Sequence, residues 1–374
     1  MIYGSAMSKK GQDHALHSAR NCYLLLCGEE YASSNSKILD YMLKLTQNCL
    51  VGALLLVTTN CWAAEWWSAR PAWWSENTTN LLDRVEEAPR LRLEFSDVVI
   101  RPTTERAQFG SISSVAIGLD GLFYLLQRNL ERHPVVVLDA EGKIVRQWGK
   151  GRYEIPHSIR VDPDGNIWTV DSGNSQLYKY SPEGKTLLHI DVGEMPEAPH
   201  PFTGTSDIGF GSNGDLYIAD GYGNSRVLVY DAKGNRIRQF GAPGREPGQF
   251  SLVHGLVVDD RDRVYVADRE NGRIQKFDSS GTHLATWDGL GRVYSLQISD
   301  GVLWAVTQRL DHPYTAAGWL VQLDPESGEI LGVISTSGTS FCDSPKPVRS
   351  DDGRRSESYD SLQTLARSRL RSAG

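Results

Sequence analysis

The stretch HSIRVDPDGNIWTVDS (157–172) contains a complete strand–turn–strand pattern. Apolar and polar residues alternate on both sides of an Asp-Gly turn, which indicates a β-hairpin. The pattern recurs in SSVAIGLDGLFYLLQR (113–128), SDIGFGSNGDLYIADG (206–221), HGLVVDDRDRVYVADR (254–269) and, more weakly, YSLQISDGVLWAV (294–306). Successive copies begin 44, 49, 48 and 40 residues apart. The chain therefore contains a repeat whose length is typical of a blade in a β-propeller.

A second pair of strands follows the hairpin in each repeat. Examples are RVLVYDAKGNRIRQFG (226–241) and RIQKFDSSGTHLATW (273–287). Four short strands per repeat form one blade of a β-propeller. The sequence predicts an all-β fold, a six-bladed propeller with five clear blades over 109–337. The sixth blade is degenerate, truncated or completed by the strand-like N-terminal stretch RLRLEFSDVVI (90–100).

The segments around the repeats have different characters. Residues 42–64 have a lysine near the start, a short apolar core and a small-residue end, the pattern of a secretory signal peptide. We expect residues 1–41 to be a non-structural upstream extension and 65–108 to be a tryptophan-rich segment with an edge strand. Residues 338–374 are rich in Ser, Arg and Asp without strand alternation, and predict a disordered or aberrant tail.

Composition narrows the choice of compartment and partner. A formal net charge of −7 argues against a nucleic-acid-binding surface, which needs a basic patch. The signal favours a secreted or periplasmic protein, and its apolar run is shorter than the about 20 residues of a membrane span. We expect no stable membrane association after cleavage. A mature chain would keep only Cys342, which excludes an internal disulfide. We expect a monomer.

Two histidines stand at the heads of alternate repeats. His157 begins the second copy and His254 the fourth, whereas serine stands there in the first and third copies. In a six-bladed propeller alternate blades lie 120° apart, so such histidines converge on the axis. Three imidazoles with an open position form a catalytic zinc site. If the histidines bind a metal, the spacing predicts a third histidine in the sixth blade. The spacing also fits the alternative that both histidines are hydrogen-bonded structural residues.

A second ring of residues ends the second strand of each repeat. Asp171, Asp220 and Asp268 have the spacing expected of residues that cap turns. The residues that follow them differ between copies, and variation inside a repeated frame indicates function. Among them are two arginines and a tyrosine. Arginine binds carboxylates bidentately, and a nearby positive charge favours the ionised, basic form of tyrosine.

The phrases DGYGNSRV (220–227), ADRENGRIQ (267–275) and PHSIRVDPDGNIWTVD (156–171) resemble NHL-repeat propellers, and specifically the peptidyl-α-hydroxyglycine α-amidating lyase (peptidylamidoglycolate lyase) family. The resemblance covers roughly residues 109–335. It implies a carbon–nitrogen lyase that converts a peptidyl-α-hydroxyglycine to a peptide amide and glyoxylate. It also implies a zinc ion held by three axial histidines, with calcium as a structural ion.

The resemblance implies a role for each matching residue. His157 and His254 match two zinc ligands, and Tyr222 matches the catalytic tyrosine that takes the proton of the substrate hydroxyl. Arg128 and Arg269 match arginines that hold the carboxylate which leaves as glyoxylate.

In the family, the third zinc histidine lies in a Pro-His-Asp phrase of the sixth blade. No such phrase follows His254 in this sequence, which therefore departs from the family at the third ligand. We do not expect His312, in a loop of the fifth repeat, to replace it. The leading hypothesis is a secreted zinc-dependent lyase acting on a small peptide or another hydroxylated amide. The alternative is a non-catalytic NHL propeller that binds a peptide or protein ligand. A lactonase-like propeller would instead be expected to place carboxylate and asparagine ligands around the axis.

Overall fold

Five four-stranded antiparallel sheets follow one another along the chain of the computed structural model. The structure describes residues 71–91, 109–193, 202–311 and 318–335, together with two two-residue strands in the C-terminal tail. The predicted extension (1–41), the signal peptide (42–64) and the rest of the tail lie outside the described residues, so those predictions stay untested. Within the described ranges, no helix has the length and hydropathy that a membrane span requires.

The five sheets have the strand order predicted for propeller blades, each running from first to fourth strand without a crossover. Blade 1 contains β1 Ile112–Ile117, β2 Phe123–Gln127, β3 Val135–Leu138 and β4 Ile144–Trp148. Blade 2 contains β5 Pro156–Val161, β6 Ile167–Asp171, β7 Gln176–Tyr180 and β8 Thr186–Asp191. Blade 3 contains β9 Asp207–Phe210, β10 Leu216–Asp220, β11 Arg226–Tyr230 and β12 Arg236–Phe240.

A two-residue parallel pair, β13 Ala242–Pro243 and β14 Gln249–Phe250, precedes the fourth blade. Blade 4 contains β15 Val253–Val258, β16 Val264–Asp268, a 3-10 turn at Arg269–Asn271, β17 Arg273–Phe277 and β18 His283–Trp287. Blade 5 contains β19 Arg292–Ser299, β20 Val302–Gln308, β21 Gly318–Leu323 and β22 Ile330–Ser335. In the tail, β23 Val348–Arg349 pairs with β24 Arg355–Ser356. The described residues thus contain five blades, and a sixth stays an expectation.

The Asp-Gly turns predicted from the repeat close the inner hairpins. In blade 2, Gly165 has a φ of +84° and donates its N–H to the carbonyl of Asp162. The Asp162 carboxylate accepts from the N–H groups of Asp164 and Asn166, so the side chain caps the turn that glycine permits. Local chemistry therefore fixes the hairpin register.

The hydrophobic core consists of apolar layers between neighbouring blades. Trp168, Val170 and Leu177 of blade 2, for example, pack with Ile208 and Ile218 of blade 3. Equivalent layers lie between blades 1 and 2, 3 and 4, and 4 and 5. Burial of each such side chain stabilises the fold by roughly 1.5–3 kcal/mol.

The tryptophan-rich segment contains a helix that the sequence did not predict. Helix α1, Ala72–Glu87, packs Leu81 and Val85 into the layer between blades 4 and 5. The Asn77 amide donates to the carbonyl of Gly272 at 3.0 Å, and its oxygen accepts from the N–H of Gly291 at 3.0 Å.

The strand-like stretch 90–100 is described only at its beginning. Arg90 forms a parallel bridge with Val333 of β22, the outermost strand of blade 5. The N–H of Leu91 donates to the Val333 carbonyl at 3.0 Å. The remainder of this stretch lies outside the described residues, so its contribution to a sixth blade stays a prediction.

Candidate active site

The first strand of four blades shifts register by one residue at the repeated head position. The shift falls between Pro156 and Ser158 in blade 2 and between Val253 and Gly255 in blade 4. It also falls around Ser113 in blade 1 and Tyr294 in blade 5. A β-bulge gives a strand one extra residue and re-aims its side chain. His157 and His254 are the extra residues in their strands.

The two imidazoles lie edge to face, with ring centroids 5.1 Å apart and an interplanar angle of 65°. Nδ1 of His157 lies 2.7 Å from the carbonyl oxygen of Ser206, and Nδ1 of His254 lies 2.7 Å from that of Tyr294. A carbonyl oxygen only accepts hydrogen bonds, so both Nδ1 atoms carry the proton. The backbone at the start of blade 3 thereby fixes the imidazole of blade 2, and the backbone of blade 5 fixes the imidazole of blade 4. Both Nε2 lone pairs remain available as acceptors.

The hydroxyl of Tyr222 lies between the two histidines. Its oxygen is 2.9 Å from Nε2 of His157 and 3.0 Å from Nε2 of His254. The single phenolic proton can serve only one of these two acceptors at a time. The three atoms therefore form a site that is electron-rich and short of a proton or cation.

Gly221 allows Tyr222 to reach this position. A Cβ at Gly221 would lie 1.7 Å from the carbonyl oxygen of Val253, the residue before His254. Only glycine lets the chain leaving β10 pass so close to blade 4. The Gly-Tyr pair is therefore a backbone requirement as well as a chemical one.

Two guanidinium groups flank the tyrosine. Arg269 has its Cζ 5.7 Å from the ring centre of Tyr222 and 5.5 Å from that of Tyr294. Arg128 contacts Phe202, with its Cζ 5.2 Å from the ring centre of that phenylalanine. Phe202 in turn stacks on Tyr222, with ring centroids 5.1 Å apart. The structure thus brings all five predicted site residues into one group.

The electrostatic surroundings keep both imidazoles neutral. Burial, followed by the charge of Arg128, lowers the pKa of His157 to about 3. Burial, followed by the charge of Arg269, lowers the pKa of His254 well below its ordinary value. A neutral imidazole is the form that accepts a proton or coordinates a metal.

The donor set fits two ligands of a zinc ion. Two Nε2 atoms converge while each Nδ1–H is held by a carbonyl, which is the usual arrangement behind metal-ligating histidines. In the part of the chain that the structure describes, no group of three His, Cys, Asp or Glu side chains could hold a metal. His312 lies outside that part. The third ligand and the calcium site therefore stay predictions.

The sequence did not predict several other contacts of the site. Glu270 accepts from Nε of Arg269 at 2.9 Å and from Nε of Arg292 at 3.2 Å, so one carboxylate joins two arginines. Arg292 is buried beside the head of β19. Phe202 follows a segment without a repeat signature, and nothing in the sequence marks it. Glu270 belongs to the DRENGR phrase, whose charge pattern could have suggested an ion pair.

Two of the three aspartates of the second ring accept hydrogen bonds from backbone N–H groups, as expected of capping residues, while Asp220 accepts from the side chains of Asn224 and Arg226. Asp171 accepts from the N–H groups of Ile155 and Gly173, at 2.8 and 2.7 Å. Asp268 accepts from the N–H of Ser251 at 2.8 Å and forms an ion pair with Arg273. These carboxylates support the strand ends from which the functional residues project.

A sequence model described as the NHL repeat matches residues 154–180 and 250–277. These segments include the first three strands of blades 2 and 4, with both histidines. The chain therefore carries two NHL repeats within an all-β fold of propeller blades.

Within that class, the chain resembles the amidating lyases. It is 31% identical over 189 residues to a probable peptidyl-α-hydroxyglycine α-amidating lyase of Caenorhabditis elegans, covering 46% of this chain and 54% of the relative. It is 35% identical over 156 residues to peptidyl-α-hydroxyglycine α-amidating lyase 1 of Drosophila melanogaster, covering 38% and 28%. It is 32% identical over 254 residues to the peptidylglycine α-amidating monooxygenase of Rattus norvegicus, covering 63% and 26%.

The chain spans 54% of the length of the nematode relative and 26% of the rat one. Their names leave the zinc requirement and the compartment untested.

Proposed function

We propose that this propeller is a zinc-dependent lyase that converts a peptidyl-α-hydroxyglycine, or a related hydroxylated amide, to an amide and glyoxylate. The observation that carries the proposal is the convergence of two neutral imidazole Nε2 atoms on one tyrosine hydroxyl, at 2.9 and 3.0 Å. Bound zinc would act as a Lewis acid toward the substrate hydroxyl oxygen. His157 and His254 would supply two of its ligands.

Tyr222 is the proposed base. Its oxygen takes the proton from the substrate hydroxyl, the carbon–oxygen bond becomes a carbonyl, and the carbon–nitrogen bond breaks. The departing nitrogen gains a proton and becomes the amide, so the proton taken at one end is balanced by one given at the other. The Arg269 guanidinium lies 5.7 Å from the ring centre of Tyr222, where its positive charge would offset negative charge on the phenol oxygen during the reaction.

Arg128 and Arg269 are the proposed carboxylate-binding residues. Arg128 contacts the ring of Phe202 and Arg269 the ring of Tyr222, so a substrate carboxylate bound by these guanidiniums would bring the adjacent hydroxyl-bearing carbon toward Tyr222. A guanidinium binds a carboxylate through paired hydrogen bonds, which fixes orientation as well as position. The substrate would then lie in the geometry that the proton transfer needs.

We also propose that the mature protein works as a secreted or periplasmic monomer without nucleic-acid partners or stable membrane association. The signal-like pattern of residues 42–64 and the net charge of −7 support this part of the proposal. Calcium as a structural ion belongs to the same proposal and is supported by the family resemblance.

Two measurements test the lyase. Purified protein should contain near-stoichiometric zinc that is lost in a His157→Ala/His254→Ala double variant. With a synthetic peptidyl-α-hydroxyglycine, glyoxylate release should fall roughly 10²–10⁴-fold in Tyr222→Phe, the range expected for loss of a general base.

Tyr217→Phe is the matched control. Tyr217 lies in the same blade, and its hydroxyl donates to the carbonyl of Ser279 away from the site. Its variant should keep wild-type turnover. Zinc at background level together with no glyoxylate would replace the lyase by the alternative, a non-catalytic propeller that binds a peptide or protein.

A further inference from the structure

One buried carboxylate joins the two strands that carry the histidines. Asp207 begins β9 directly after Ser206, whose carbonyl holds Nδ1 of His157. Its Oδ1 accepts from the hydroxyl of Ser158, the residue after His157, at 2.7 Å. Its Oδ2 accepts from the N–H of Leu256, two residues after His254, at 3.3 Å. Blades 2, 3 and 4 therefore meet at this side chain.

Arg160 completes the network around Asp207. Its Nε lies 2.9 Å from Oδ1 and its Nη2 lies 2.5 Å from Oδ2, a bidentate pair. The same guanidinium reaches blade 5 through the carbonyl of Leu296 at 3.3 Å and the Gln297 side chain at 3.1 Å. Blade 5 carries Tyr294, whose carbonyl holds Nδ1 of His254. The network thus contacts every strand that fixes an imidazole.

The carboxylate of Asp207 has a complete set of hydrogen bonds. It accepts four, two at each oxygen, which is the number of lone-pair sites on an ionised carboxylate. Asp207 is 3% exposed, so its negative charge depends on the guanidinium for compensation. Asp207 therefore has no oxygen lone pair to offer a calcium ion, and Arg160 supplies the positive charge at this point.

We propose that Asp207, clamped by Arg160, is the positioning residue that fixes His157 and His254 in their edge-to-face arrangement. Asp207 touches neither Nε2 atom. It acts through Ser158, through Leu256 and through the backbone of Ser206, and so determines where the two lone pairs meet. Outer contacts of this kind usually change metal affinity by about 10–100-fold when they are removed.

The test compares Asp207→Asn and Ser158→Ala with a matched control, Asp162→Asn. Asp162 is also a buried, ion-paired aspartate, 2.9 Å from Lys179, but it caps the turn between β5 and β6 at the other end of β5 from His157. Its loss should lower stability without moving the imidazoles. Ser158→Ala leaves the ion pair intact and removes only the hydrogen bond from the hydroxyl to the Asp207 carboxylate, so it decides the question if Asp207→Asn does not fold.

The first readout is the two-dimensional ¹H–¹⁵N NMR spectrum of the imidazoles in the full chain without added metal. Wild type and Asp162→Asn should show His157 and His254 as Nδ1–H tautomers. Asp207→Asn and Ser158→Ala should show mixed tautomers or exchange broadening. The second readout is titration with Co²⁺, for which Asp207→Asn should bind about 10–100-fold more weakly and Ser158→Ala severalfold more weakly.

Wild-type tautomers and wild-type Co²⁺ affinity in both Asp207→Asn and Ser158→Ala would overturn the proposal and leave Asp207 a purely structural residue. The metal readout rests on the proposed function, whereas the tautomer readout does not. If wild-type protein binds no Co²⁺, the zinc part of the proposed function fails, and the imidazole spectra still decide the role of Asp207.

Discussion

The α-carbon of Gly221 faces the carbonyl of Val253 so closely that a Cβ there would lie 1.7 Å from its oxygen. This contact couples the chain that presents Tyr222 to the strand that presents His254. Gly221→Ala should therefore displace both partners of the 3.0 Å hydrogen bond between them. We expect glyoxylate release to fall about 10²-fold, the penalty for an ångström-scale misplacement of reacting groups.

A suitable comparison is Gly301→Asn. Gly301 has a positive φ of +75°, and nothing lies within 4 Å of a Cβ there. Asparagine tolerates this left-handed conformation. Turnover in Gly301→Asn should match wild type, and equal activity in Gly221→Ala would show that Tyr222 does not need its observed position.

Removing the charge of Glu270 should weaken substrate binding through Arg269. Glu270 holds Nε of Arg269 at 2.9 Å and also pairs with the buried Arg292. In Glu270→Gln the two guanidiniums lose their shared counter-charge and repel each other, so Arg269 should leave its place beside Tyr222. Steady-state kinetics should show a higher KM for the hydroxylated substrate, and an unchanged KM would contradict this role.

The same carboxylate should make stability depend on pH. Burial alone would raise the pKa of Glu270, but the charges of Arg269 and Arg292 outweigh burial and lower it. A carboxylate with a lowered pKa stabilises the fold above its unfolded pKa of about 4.3 and loses that contribution as pH falls through the folded value. Urea unfolding should therefore separate wild type from Glu270→Gln at pH 7, and the separation should shrink below about pH 4.3.

Phe202 should determine how firmly Arg128 is held. Its ring contacts both the Arg128 guanidinium and the Tyr222 ring. Phe202→Ala removes both contacts, and an aromatic pair is worth about 0.5–1.5 kcal/mol, which corresponds to roughly a twofold to tenfold rise in KM. Phe202→Tyr keeps the ring and should keep KM, so equal KM values in the alanine and tyrosine variants would refute the prediction.

The docking of helix α1 should depend on Asn77. Its amide satisfies one backbone group in each of two loops, at Gly272 and at Gly291. Asn77→Ala leaves the buried N–H of Gly291 without this acceptor, whereas the Gly272 carbonyl still accepts from the N–H of Leu290. The free energy of unfolding should therefore drop by about 1–3 kcal/mol. Thr79→Ala, an exposed change on the same helix, should leave chemical denaturation unchanged.

The sequence was sufficient to predict the blades because their information is local. Strand alternation and Asp-Gly turns such as the one at Gly165 depend on consecutive residues, and the five observed sheets match the repeats that these patterns predict. Helix α1 was missed because two of its four buried residues, Asn77 and Thr78, are polar. Its docking depends on hydrogen bonds to loops that are distant in sequence, and such bonds cannot be predicted from the spacing of hydrophobic residues.

The candidate site divides in the same way. Repeat register was enough to group His157, His254, Tyr222 and the two arginines. The stack with Phe202 and the clamp between Arg160 and Asp207 join residues from different blades, 47 positions apart in the latter case. Their pairing depends on how far each strand slides past the next, which one sequence does not state.

The register shift in the first strand of four blades also affects how the chemistry of such a site can change in evolution. The backbone already turns the same position inward in blades 1, 2, 4 and 5, whether serine, histidine or tyrosine stands there. A single codon per blade therefore decides which chemical group reaches the axis. New activities can arise on this scaffold by exchange of side chains, without a new backbone having to evolve.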